Sequence, residues 1–204
     1  DRAASYALDP LLRIVGEPGP LQDDALLALT RIGDPRALAS VAALQGTDPD
    51  IEPMVSAAAA VLGADRDRHF QFVTESLRFA VAGDHADLVR SSAAALGALA
   101  SRGDADAVRE LFDVGVDADP GARDSIALVL GMLAMRYPDT VLRHLETRTD
   151  LPAAALVVRD GFDMLDEDLE EERFFMTTRT AFWVAPEGSR SRAVSDELIR
   201  VLEF

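Results

Sequence analysis

Apolar positions along the chain recur at helical rather than strand spacing. In Asp24-Ala-Leu-Leu-Ala-Leu-Thr-Arg-Ile-Gly-Asp-Pro-Arg-Ala-Leu38 they fall at Ala25, Leu26 and Leu29, an i, i+1, i+4 stripe that marks one face of a helix. The stripe returns 70 residues later in Ala94-Ala-Leu-Gly-Ala-Leu-Ala-Ser-Arg-Gly-Asp-Ala-Asp-Ala-Val108. With Leu29 as anchor, further copies centre on Leu62, Leu99 and Leu133, at spacings of 33, 37 and 34 residues. Ala25, Ala58, Ala95 and Val129 stand four residues before the anchors, and Leu26, Ala59, Leu96 and Leu130 three before. Alanine is the best intrinsic helix former, and small side chains let neighbouring helices approach, so each copy predicts a first helix.

A short turn follows each anchor. Aspartate recurs there at Asp34, Asp67, Asp104 and Asp139, with Pro35 and Pro138 beside it, and is expected to cap a second helix. The second helices are predicted to bury Leu38, Val41 and Leu44 in the first copy and Phe70, Val73 and Leu77, with a one-residue slip, in the second. They bury Val108, Leu111, Phe112 and Gly115 in the third and Leu142 and Leu145 in the fourth. Arg31, Arg66, Arg102 and Arg136 sit just before the same turns, close to their aspartates, which predicts a ladder of alternating charge between successive units.

The pattern Ala-Leu-x-x-Leu followed by Gly-Asp-Pro-Arg-Ala-Leu38 resembles the HEAT repeat, in the short HEAT-like form of the phycobilin (PBS) lyase type, over roughly residues 20 to 150. The resemblance implies an all-α fold, an α-solenoid of about five antiparallel helix pairs stacked as a superhelix. It implies fold rather than function, because such repeats serve scaffolds, adaptors and a few enzymes. Residues 1–150 are assigned to the repeats and 151–204 to a divergent helical cap of the same domain.

The ends depart from the repeat. Asp9-Pro-Leu-Leu12 resembles the turn before a second helix, so the chain is expected to open inside a longer array, its first partner helix lying upstream. After Asp150 the aromatics concentrate at Phe162, Phe174, Phe175, Phe182, Trp183 and Phe204, as expected of side chains covering an open core face. Phe174 to Val184 is rich in β-favouring residues, which leaves a strand or irregular segment open there.

Composition narrows the chemistry. All 20 basic residues are arginine, acidic residues number 36, and the net charge is -16. Such a surface repels phosphate at long range, so nucleic acid and anionic membrane are not expected partners. Aspartate excess without lysine also resembles proteins adapted to high salt, where screening shortens to ~3 Å. Cysteine is absent, which excludes disulfides, thiolate ligands and cysteine nucleophiles. Apolar runs such as Ala57 to Ala64 fall short of the ~20 residues that span a bilayer, and a soluble, cytoplasmic protein is expected.

His69, His85 and His144 lie apart and are assigned surface or capping roles rather than metal ligation. None precedes a glutamate, unlike the His-Glu pairs of HEAT-like hydroxylases, and the charge opposes the basic groove of HEAT-like DNA glycosylases. The acidic run Asp163 to Glu172 reads as a solvated helix face with Met164, Leu165 and Leu169 turned inward. No catalytic residue, cofactor or metal is assigned.

The partner-binding candidates are two. Arg109 and Arg143 share one offset from their anchors, and Glu110 and His144 the next, so the four form a row in stacked repeats. Phe182 and Trp183 are the second candidate, with capping of the core as the competing role. The expected function is a non-catalytic interaction module or scaffold for a protein partner; the alternative is a ligand-handling or lyase-type enzyme subunit.

Overall fold

The periodic stripes fold as helices. The computed structural model describes residues 2–165 and 168–203, and no strand occurs among them. The helices are α1 (Arg2–Val15), α2 (Gln22–Ile32), α3 (Leu38–Ala42), α4 (Glu52–Val61), α5 (Arg66–Ala82), α6 (Ala86–Ser101) and α7 (Ala105–Asp117). They continue as α8 (Pro120–Arg136), α9 (Pro138–Thr147), α10 (Leu151–Asp163), α11 (Asp168–Val184) and α12 (Arg190–Leu202), with a 3-10 turn at Pro35–Ala37. None is long and apolar enough to cross a membrane. The chain divides into two compact units, Asp1–Ala107 and Val108–Phe204.

In the first unit α4 packs on α2, α5 and α6, and α1 packs on α2 and α3. All four repeat anchors, Leu29, Leu62, Leu99 and Leu133, are buried in their respective units. Eight consecutive residues of α4, Pro53 to Ala60, are buried. A helix apolar all round must be enclosed by others, and four alanines in a row keep its neighbours close. On α2 the buried set Gln22, Ala25, Leu26, Leu29 and Thr30 follows the i, i+3, i+4, i+7 rule of a single inner face. Gln22 Nε2 donates to the Val15 carbonyl at 2.8 Å, which satisfies a buried amide and ties α1 to α2.

The turns differ in how they are made. Asp34 accepts from the Arg36 amide and Asp104 from the amides of Asp106 and Ala107, so both cap as expected. The second turn is capped by Asp65, which accepts from the Arg68 amide, while Asp67 falls inside the first turn of α5 and pairs with Arg66. Asp139 likewise sits in the first turn of α9, after Pro138. Both remain where an anion suits the helix dipole, though neither is the cap.

One rung of the expected charge ladder forms outright. Arg66 opens α5 rather than preceding the turn, and its guanidinium bonds both carboxylate oxygens of Asp104 and reaches Asp106 at 3.0 Å. The Arg102 side chain covers Gly33 and donates to the Arg31 carbonyl at 3.5 Å. Gly33 has φ +66, and a Cβ there would lie 2.9 Å from Arg102 Nη2, so this turn needs glycine twice over. Arg31 and Arg136 are exposed.

The second unit is organised around the pairing of α8 with α10, with α12 packed on α9, α10 and α11. Gly131 and Gly161 allow that pairing. A Cβ on Gly161 would meet the Ala127 carbonyl oxygen at 2.2 Å and the Gly131 amide nitrogen at 3.0 Å, so the helices touch backbone to backbone. Between α8 and α9 the chain turns through 117°. Phe162, Phe174 and Phe175 cluster with centroids 5.0 to 6.4 Å apart, the first two buried and the third half-buried.

Three further expectations fail. The turn at Asp9-Pro10 does not form: α1 runs through it with Pro10 inside the helix, because Leu8 and Val15, two turns apart, are both buried. The segment Phe174 to Val184 is helix, its buried Phe174 and Thr178 following an i, i+4 rather than an alternating pattern. Met164 is 42% exposed, since α10 ends at Asp163 and the chain leaves the helix there. Leu165 is half-buried; Asp166, Glu167, Phe204 and the side chain of Leu169 lie outside the described residues.

Candidate functional site

The four-residue row on α7 and α9 is split by helix geometry. Arg109 and Arg143 are exposed, the latter with Nε donating to the Asp139 carbonyl at 3.1 Å. Glu110 is only 6% exposed, and His144 is half-buried with its ring stacked on Phe112 at 5.2 Å and 12°. Successive helical residues lie ~100° apart, so a neighbour of an outward arginine turns toward the core that Leu111, Phe112 and Leu145 fill. Of the four, Arg109 and Arg143 face outward, whereas Glu110 is buried and His144 half-buried.

His144 belongs to a polar cluster that the sequence did not single out. Arg148, whose side chain is 9% exposed, bonds Asp113 at 2.7 Å and holds Asp150 through two bonds of 2.7 Å, with its guanidinium 5.5 Å from the Phe112 ring centre. From α12, Arg190 donates to the carbonyls of Glu146 and Arg148, and Ser191 bonds the Glu146 carboxylate. Arginine at the carbonyl end of α9 satisfies acceptors that the helix leaves open. Burial, with the Arg148 charge adding, pushes His144 below the ordinary imidazole range. Its Nε2 is buried and makes no hydrogen bond. The cluster joins α7, α9 and α12 and is structural.

His69 and His85 differ from each other as well. His69 is buried in α5 rather than at the surface, and burial with the Arg68 charge lowers its pKa. His85 is exposed at the start of α6 and stacks on Phe79 at 5.4 Å, without a side-chain capping bond. Among the described residues no three His, Asp or Glu side chains are grouped to hold a metal ion.

The end of α11 holds the other candidate pair. Phe182 is half-buried, and Trp183 meets its ring edge-on at 5.2 Å while remaining 76% exposed. Trp183 therefore does not cap the core. It lies nine residues after the fully buried Phe174, about two and a half turns, which is the opposite face of the helix. Val184 is 78% exposed and Met176, two turns before Trp183, is 52% exposed, so the outer face of α11 carries a broken apolar stripe.

The loop after α11 shapes the edge of this surface. Gly188, at φ +76, takes a left-handed turn into Ser189, whose hydroxyl accepts from the Arg192 amide and caps α12. The cap places Arg192 over the Phe182 ring, 4.4 Å from its centre. Phe182, Gly188, Ser189, Arg192 and Asp196 line a shallow cavity of about 320 Å³ beside it. On the same helix Arg179, four residues before Trp183, pairs with Glu172 at 4.0 Å.

Comparison with known proteins finds no matching family model, no matching curated protein and no matching solved structure.

Proposed function

We propose that the chain is a HEAT-like α-solenoid that works as a non-catalytic interaction module, a cytoplasmic scaffold or regulator, and that the outer face of α11 with the start of α12 takes the protein partner. The repeat spacing supports the fold reading, together with the buried anchors and the serial contacts of first helices, α2 with α4 and α4 with α6 in one unit and α8 with α10 in the other. The observation that carries the function is Trp183, 76% exposed beside an exposed Val184 and a half-buried Phe182. An exposed tryptophan backed by a second ring that itself stacks under an arginine has the make-up of an interface hot spot.

The test is affinity capture from native lysate at high salt, comparing the wild-type chain with Trp183→Ser and with the double variant Arg109→Glu, Arg143→Glu. One retained protein, rebound after purification and lost in Trp183→Ser alone, is the expected result. Retention equal across all three proteins, or no purified partner that rebinds, overturns the assignment to α11. Loss only in the arginine double variant moves the surface to α7 and α9.

A further inference from the structure

The first unit carries an exposed ring pair at the junction of α5 and α6, built from residues other than those of the α11 face. α5 ends at Gly83-Asp84-His85, a tight turn in which Asp84 adopts a left-handed φ of 55° and the His85 amide reaches back to the Ala80 carbonyl. The turn folds the His85 imidazole over the end of α5 onto Phe79, the rings 5.4 Å apart and 27° from parallel. Gly83 makes room for this: a Cβ there would stand 2.7 Å from His85 Cδ2 and Nε2. Phe79 is nonetheless 64% exposed, so one side of the ring pair faces solvent.

Carboxylates line the hollow beside the rings. Asp50 and Asp87 line, with Phe79, His85, Ala86 and Leu88, a shallow cavity of about 360 Å³, within the ~300–1,000 Å³ of small-molecule sites. Asp23, Asp24 and Asp48 extend the negative field. Burial and then Asp24 hold the Asp23 carboxyl above the usual range, and Asp48 and Asp50 add to the effect. Arg90 is the counter-charge on this side, bonded to Asp87 at 2.7 Å, but both members of that pair are 71% exposed. A pair so exposed is worth little and exchanges readily for another cation.

An open aromatic face that shares a hollow with two carboxylates matches a planar cation. Guanidinium satisfies both demands, stacking on a ring while its edges donate to carboxylates, which a hydrated ammonium does less well. We propose that the Phe79–His85 ring pair, flanked by Asp50 and Asp87, is a docking site for an arginine side chain of a basic segment in a partner protein. The charge of the site and of the chain favours such a segment, and the arginine enters over the outer face of Phe79.

The test uses a fluorescein-labelled, alanine-based helical peptide with two arginines four residues apart, titrated against the full chain over a series of salt concentrations. A matched peptide carries citrulline, the neutral isostere of arginine. Saturable binding is expected, at least tenfold weaker for the citrulline peptide. Phe79→Leu should weaken the arginine peptide about fivefold, an exposed cation–π contact converted to affinity, with helicity unchanged by circular dichroism. The double variant Asp50→Asn, Asp87→Asn should weaken it about tenfold, whereas Trp183→Ser leaves it unaltered. Equal binding by wild type and Phe79→Leu would mean attraction to an acidic surface alone and overturns the site. So would equal binding of the citrulline peptide, absence of binding, or loss in Trp183→Ser, which would place the peptide on α11. Because that last variant separates the two surfaces, the failure of either reading is distinguishable from failure of the other.

Discussion

The two units reach close helix packing by different means. In the first, small residues are spread along whole helices: Ala57 to Ala60 on α4, and Ala93, Ala95, Ala98 and Ala100 on α6, are buried. In the second, buried alanines recur at Ala127, Ala134, Ala154 and Ala155, but the closest approach is concentrated where Gly131 and Gly161 bring the α8 and α10 backbones into contact. A distributed contact shares the effect of any one change among many neighbours. A concentrated one has no such reserve, since backbone cannot move aside as a side chain can.

The sharpest way to break this comparison is Gly161→Ala set against Ala95→Gly. The first drives a methyl group into a carbonyl oxygen and is expected to destabilise by about 3 kcal/mol, the upper end of overpacking costs. The second removes one methyl from a shared contact and should cost about 1–2 kcal/mol. Hydrogen exchange read peptide by peptide checks both, with the loss of protection confined to α8 and α10 in the first case. Equal losses would mean that the glycine contact is no tighter than the alanine ones.

Polar anchoring differs in the same sense. Arg148 is nearly buried and holds two aspartates, whereas Arg66, whose side chain is 39% exposed, holds three. Arg148→Met should cost roughly 1–3 kcal/mol because Asp113 and Asp150 lose a buried partner. Arg66→Met should cost under about 1 kcal/mol, less again at high salt. Urea unfolding at two salt concentrations reads both. A larger loss for Arg66 would reverse the ranking by burial.

The smallest expected effect is on pH dependence. His144 is held neutral by burial, so its pKa in the fold lies below that of the unfolded chain. Between those two values the unfolded state binds the proton and the fold does not, and stability falls as pH drops below the ordinary imidazole range. His144→Phe, which keeps a ring on Phe112, should flatten the fall in thermal midpoint between pH 7 and pH 5, about one ordinary titration range. His69 contributes in the same direction from the first unit and should leave a residual slope. A slope unchanged in His144→Phe would show that this ring is not the group being charged.

Much of the helical framework was legible because it rests on local periodicity. The stripes ending at Leu29, Leu62, Leu99 and Leu133 each produced a helix whose anchor is buried. Caps were harder to place: Asp65 and Asp67 are alike in propensity, and only the position where α5 begins decides between them. α11 was obscured by its β-favouring residues, since tertiary packing of Phe174 and Thr178 outweighs propensity there. The aromatic pair at 182 and 183 was visible in the sequence, but which ring faces inward depends on the phase of α11. Arg148 and Arg190 drew no attention because their partners come from other helices; the nearest local signal was Arg148 two residues before Asp150.

The exposure of Trp183 gives the chain an optical property as well as a surface. It is the sole tryptophan, so the indole emission of the whole protein comes from one point on the outer face of α11. Free in solution it should emit as a water-bathed indole and be quenched readily by acrylamide. A partner that covers α11 would shift the emission to the blue and shield it, with no label attached.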